Sequence, residues 1–178
     1  KVPGASNSVL EAYVPYAKES LDHYLLRQPD HYCSHDTTLS MAAKAYSAAK
    51  KIDPKTHPKK LLGIAITASL ATNYEKKGDH KFFIAIQTHK YSHSFSYQFT
   101  KGELSRDEEE AVVTKYIINA LSGACGVNPG IQNEAPNLKI EKVDAEKSWI
   151  KLVDNKIDYV SSSNHLPELI FPGSFNPF

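Results

Sequence analysis

The sequence predicts an α/β protein, a three-layer α/β/α sandwich built on a mixed sheet, with a small C-terminal β-hairpin extension. Two unbroken apolar runs of strand length, Leu61 to Thr67 (LLGIAIT) and Lys81 to Ile86 (KFFIAI), supply the buried strands. Long segments with apolar residues at helical spacing lie on either side of them and supply the covering layers. After Gly123 the composition turns to GVNPGIQNEAPN, a linker composition, before two further short apolar runs.

The first periodic segment, Val9 to Tyr16 (VLEAYVPY), is rich in apolar and aromatic residues and is expected to be a strand ending at Pro15. Ala17 to Leu26 follows with Leu21, Tyr24 and Leu25 at helical spacing, and Pro29 acts as a stop signal. Ser34 or Asp36 is placed to cap a longer helix reaching Lys51. Its stripe of Leu39, Ala42, Ala45, Tyr46 and Ala49 is small enough for close packing. Leu61 to Thr67 then reads as a central strand covered on both faces. Lys81 to Ile86 and Ser92 to Phe99 form a hairpin turning at Lys90-Tyr91, with Phe95, Tyr97 and Phe99 on one face. Ser105-Arg106-Asp107-Glu108 has the S-x-x-E capping-box form, and Val112, Val113, Tyr116, Ile117, Ala120 and Leu121 repeat at helical spacing behind it. Trp149 to Leu152 and Ile157 to Val160 flank Asp154-Asn155-Lys156, a second hairpin. The expected organisation is a main domain over 1–124, a linker over 125–137, a hairpin extension over 138–168 and the start of another unit over 169–178.

The 178 residues suffice for one domain and a small appendage, and 41% hydrophobic with 23% charged residues is an ordinary globular balance. The net charge of +1 is spread along the chain, without the basic stripe that phosphate backbones require, so nucleic acid is not expected as a partner. No apolar run approaches the ~20 residues needed to span a bilayer, and no membrane partner is expected. Cys33 and Cys125 stand far apart without metal spacing, which fits a reducing compartment and a cytosolic location, with no zinc and no cofactor. His31 and His35 beside Cys33 and Asp36 read as the approach to a helix N-terminus rather than a metal or thiolate site. His89 and His93 read as polar residues flanking a turn. The acidic run Asp107 to Glu110 matches the positive end of a helix dipole and needs no catalytic explanation.

Three stretches together resemble the C-terminal domain family of the competence-induced protein CinA, whose bacterial members include nicotinamide-mononucleotide deamidases. Pro3-Gly4-Ala5-Ser6 followed by Val14-Pro15-Tyr16 resembles the family's A-G-S-S segment and its strand ending V-T-Y-S. Ile64 to Thr72 is similar to the strand and loop S-I-S-G-I-A-G-P. Lys81 to Ile86, Phe99-Thr100 and the helix after Ser105 resemble the closing hairpin and the F-S-G-D-R helix. The likeness covers roughly residues 1–124, and VPGAS, VLEAYVPYA, YCSHDTT and LATNYEKKGDHKFFIAI look most like eukaryotic members in which the domain precedes a nucleotidyltransferase. The closing LIFPGSFNPF resembles the first strand and turn of that superfamily. On that resemblance Gly173, Ser174 and Phe175 would line a nucleotide site, and Leu169 to Phe178 would mark where a second enzyme begins.

The family's reaction resembles serine/lysine hydrolysis, in which a hydroxyl attacks a carboxamide and a lysine accepts its proton. The stretch that would carry the nucleophile falls before Lys1. Laying V-T-Y-S-N-E-A-K on Val14 to Leu21 puts Leu21 at the basic position, and leucine cannot accept a proton. Lys18, one helical turn away, is a weak substitute. The glycines of G-I-A-G-P are also replaced, in Ala68-Ser69-Leu70-Ala71-Thr72, which hinders close backbone approach to an anion. Tyr16, Thr67, Ser69 and Thr72 remain as ligand-binding candidates. The resemblance therefore implies a catalytically degenerate module that binds a pyridine nucleotide or serves as structure in a nucleotidyltransferase fusion, with self-association through the exposed hairpin face as a further role. The alternative is an active deamidase with a relocated base.

Overall fold

A computed structural model of the chain describes residues 8–74, 76–128 and 137–144. Among these residues three α-helices, α1 (Lys18–Leu25), α2 (His35–Ile52) and α3 (Arg106–Ala124), accompany four strands, β1 (Gly63–Ser69), β2 (Lys81–Gln87), β3 (Tyr91–Gln98) and β4 (Lys139–Asp144). The strands form one sheet in the order β1-β2-β3-β4, each neighbouring pair antiparallel. Helices pack on both faces, so the chain is a three-layer α/β/α sandwich.

Alternation along β2 builds the two faces. Phe82, Ile84 and Ile86 point toward α3 and join Val113, Tyr116, Ala120, Leu70 and Phe99 in the larger core. All three are essentially without solvent contact, and burying each contributes about 1.5–3 kcal/mol. Phe82 lies 5.5 Å from Tyr116 and 5.8 Å from Phe99, ring centre to ring centre. On the opposite face Ala85 and Ala65 meet Met41, Ala42 and Leu21. Small residues there let α2 approach β1 so closely that a Cβ added at Gly63 would collide with the Ala42 carbonyl oxygen and the Tyr46 backbone nitrogen.

The helix ends follow local chemistry. Ser34 caps α2 by accepting from the Thr37 N–H, and the capping box of α3 is complete, with Ser105 and Glu108 bonding each other's backbone. Leu26 ends α1 in the left-handed region at φ 58°, where its N–H and that of Arg27 donate to His23 and Asp22 carbonyls. The helix thus stops before Pro29 is reached. The hairpin between β2 and β3 turns at Thr88 to Lys90, with Thr88 Oγ1 accepting from the Lys90 and Tyr91 N–H groups.

Three local expectations are corrected. Val9 to Tyr16 is not a strand, because among the described residues no strand pairs with its backbone, and Pro15 has no N–H to offer. Its Val14 and Tyr16 are exposed, and Tyr13 instead stacks on Tyr24 of α1 with ring centres 4.7 Å apart. β1 is covered on both faces as expected, yet its only strand neighbour among the described residues is β2, which is the strand buried most completely. His89 stands in the β2–β3 turn as expected, and is buried there at 5% exposure. Residues 139–144, expected in the extension, extend the main sheet as β4. The Trp149 to Val160 hairpin and the Leu169 to Phe178 stretch, with Gly173, Ser174 and Phe175, lie outside the described residues.

Candidate functional site

The end of β1, the N-terminus of α2 and the loop from Leu70 to His80 converge on one edge of the sandwich. Thr67, near the end of β1, faces α2, where its hydroxyl meets Thr38 Oγ1 at 2.7 Å; Thr38 in turn donates to the Ser34 carbonyl at 2.6 Å. Cys33 lies close to Thr67 as well. Burial pushes its thiol up, against the lowering influence of Thr67, Lys81 and Lys76, so Cys33 stays a neutral thiol rather than a nucleophilic thiolate.

The loop after β1 is held from inside. Lys76 Nζ donates to Ser69 Oγ at 2.8 Å and to the Leu70 carbonyl at 2.6 Å, and burial lowers its pKa against the opposing influence of Glu109 and Cys33. Glu109, fully buried in the first turn of α3, accepts from the Ala71 N–H at 2.6 Å and bonds His80 Nδ1 at 2.7 Å. Arg106 donates to the Ala71 carbonyl at 2.9 Å from outside. Thr72 Oγ1 donates to the Tyr74 carbonyl.

Of the sequence-predicted ligand residues, Thr67, Ser69 and Thr72 lie together at this edge, whereas Tyr16 stands apart from them on the segment before α1. Thr67, Ser69 and Thr72 each bond within the protein, and Tyr16 is 98% exposed on the segment before α1. Leu21 is buried with Met41, Ala42, Ala65 and Ala85, in an environment suited to leucine. Lys18 is exposed, its Nζ 5.5 Å from the centre of the Tyr32 ring.

Beside Lys18 opens a cavity of about 510 Å³, lined by Tyr32, Cys33, Ser34, Lys81 and Phe83 among others. The register explains its far wall: Lys81 and Phe83 alternate with Phe82 and Ile84, so they face the α2 side while the latter fill the core. Lys81 Nζ lies 5.9 Å from the Phe83 ring centre. These residues were missed because KFFIAI reads as wholly buried. Its first and third positions show their role only once the strand's two faces are known.

His35, at the start of α2, crosses to the sheet, with Nε2 2.8 Å from Ser94 Oγ and 3.6 Å from a Glu141 carboxylate oxygen. Its Nδ1 is 3.2 Å from Asp36 Oδ1. The order serine, imidazole, carboxylate is that of a hydrolase triad, but Ser94 is 5% exposed and Asp36 stands in solvent. The contact ties α2 to β3 and β4. Among the described residues no three His, Cys, Asp or Glu side chains are grouped to hold a metal ion, and no helix is long and apolar enough to cross a membrane.

No family model, curated protein or solved structure matches this chain.

Proposed function

We propose that this chain is a CinA-like module that binds a pyridine-type nucleotide or supports a neighbouring nucleotidyltransferase, and does not hydrolyse nicotinamide nucleotides. Leu21 carries the reading. Where the resemblance calls for a proton-accepting lysine, Leu21 is buried against Met41 and Ala85, out of reach of any substrate. Lys18, the nearest substitute, is exposed with its ammonium against the Tyr32 ring. An exposed ammonium resting on an aromatic face is not placed beside any carboxamide-attacking hydroxyl, as a hydrolytic base must be. Thr67, Ser69 and Thr72, which would face the ligand on the family pattern, are engaged within the protein.

The test is an ammonia-release assay on the full chain with nicotinamide mononucleotide. No release above the buffer rate is expected. Release that disappears in Lys18→Gln would replace this reading with a deamidase whose base has moved.

A further inference from the structure

We propose that the cleft between Lys18 and Lys81 binds nucleoside 5′-monophosphates, taking the phosphate on the two lysines and the base on the Phe83 and Tyr32 rings, without selecting which base. The inference rests on the reading of the chain as a ligand-binding module and gives that module a site outside the Thr67, Ser69 and Thr72 stretch.

Volume and charge carry the first half. A cavity of about 510 Å³ is in the range of small-ligand sites. Two lysines line it against one carboxylate, Asp30. A phosphate monoester bears about 1.5–2 negative charges at neutral pH, and lysine binds such a group as a point charge. Ser34, the N-cap of the 18-residue α2, also lines the cleft, so the positive end of that helix dipole adds to the same field. Cys33 lies there as a neutral thiol and adds no opposing charge.

The second half follows from what the walls offer a ring. Tyr32 and Phe83 present aromatic faces already chosen by cations, at 5.5 and 5.9 Å from the Lys18 and Lys81 ammonium nitrogens. Stacking on such a face accepts any base. Reading a base edge needs paired donors and acceptors, such as an amide or guanidinium group provides. Among the described residues that line the cleft there is no Asn, Gln or Arg. The cleft thus offers charge to a phosphate and ring faces to a base, and its polar groups Asp30, His31 and Ser34 include no amide or guanidinium that would fix one base edge.

Calorimetric titration of the full chain with AMP, nicotinamide mononucleotide, ribose 5-phosphate and inorganic phosphate tests this. AMP and nicotinamide mononucleotide should bind within about threefold of each other, and ribose 5-phosphate about tenfold more weakly for want of a ring. Lys18→Gln with Lys81→Gln should weaken all of them by about tenfold or more. Phe83→Leu should weaken only the two nucleotides. Melting temperatures of the variants, and Lys18→Gln alone at its exposed position, separate lost binding from lost folding. The proposal is overturned if neither nucleotide binds at millimolar concentration, if the double lysine variant binds as before, if phosphate alone binds as tightly as AMP, or if one base is preferred more than tenfold. Each of those results leaves the ammonia-release outcome standing, so the two readings fail separately.

Discussion

Glu109 of α3 and His80, at the threshold of β2, are joined carboxylate to imidazole at 2.7 Å, with the carboxylate fully buried. The other carboxylate oxygen takes the Ala71 N–H at 2.6 Å, so one side chain closes both ends of the loop between β1 and β2. Removing it would leave the half-buried Ala71 N–H and a largely buried imidazole without their acceptor. Glu109→Ala should cost about 3 kcal/mol in urea unfolding, and Glu109→Gln, which keeps an acceptor for Ala71, markedly less. Equal losses in the two variants would mean that volume, not hydrogen bonding, is what Glu109 supplies.

Gly63 permits the contact between β1 and α2. An added Cβ would meet the Ala42 carbonyl oxygen and the Tyr46 backbone nitrogen, and neither is a flexible side-chain end that can turn away. α2 would have to lift from the sheet, disturbing Ala42, which is 1% exposed, and Tyr46, which is 2% exposed. Gly63→Ala is expected to destabilise the fold by about 3 kcal/mol, at the upper end of overpacking costs. A thermal melt within a degree of the parent would show that α2 is not held where these contacts place it.

Much of the fold could be read in the sequence where local and tertiary preferences agree. The S-x-x-E signal at Ser105 and the apolar repeat behind it gave α3, and the alanine stripe before Lys51 gave α2 and its close approach. Val9 to Tyr16 shows the limit. Its residues favour extended backbone, but a strand needs a partner and none among the described residues pairs with it. β4 shows the converse, for KIEKVD is exposed at every position and its strand identity comes from pairing with β3. The cleft was hidden for a third reason. Lys18 was conspicuous as a spare base, whereas its companions Lys81 and Phe83 sit inside an apolar run whose facing is set only by register. Glu109 read as one more acid in a helix first turn, and nothing local distinguishes it from its exposed neighbours Asp107, Glu108 and Glu110.

Leu26 occupies the left-handed position at the end of α1 with φ 58°, a conformation that costs a residue bearing a Cβ about 1–2 kcal/mol. Its side chain is 72% exposed and loses little by removal. Leu26→Gly should therefore stabilise the protein by about 0.5–1 kcal/mol, since the relief of strain outweighs the greater freedom of glycine in the unfolded chain. A lowered unfolding midpoint would mean that Leu26 makes contacts worth more than its strain.

Glu108 links the α3 cap to pH. The Ser105 N–H and then the Ser105 hydroxyl, both 2.8 Å from Glu108 Oε2, hold its carboxyl below its ordinary value near 4.5. Because the folded value is depressed, the unfolded chain takes up the proton first as acid is added. The stabilisation from this carboxylate is complete above the ordinary value and is lost as pH falls through the lower, folded one. Asp53, whose carboxyl is lowered by hydrogen bonds from Thr56, acts in the same sense, so the acid limb is not due to Glu108 alone. Glu108→Gln should lower the unfolding midpoint at pH 7 but lie closer to the parent at pH 3. Ser105→Ala, which leaves the stronger backbone donor in place, should narrow the gap between pH 7 and pH 3 only in part. Urea unfolding curves at pH 7, 5 and 3 decide it, and a constant offset between parent and Glu108→Gln across that range would remove the cap from the account of acid stability.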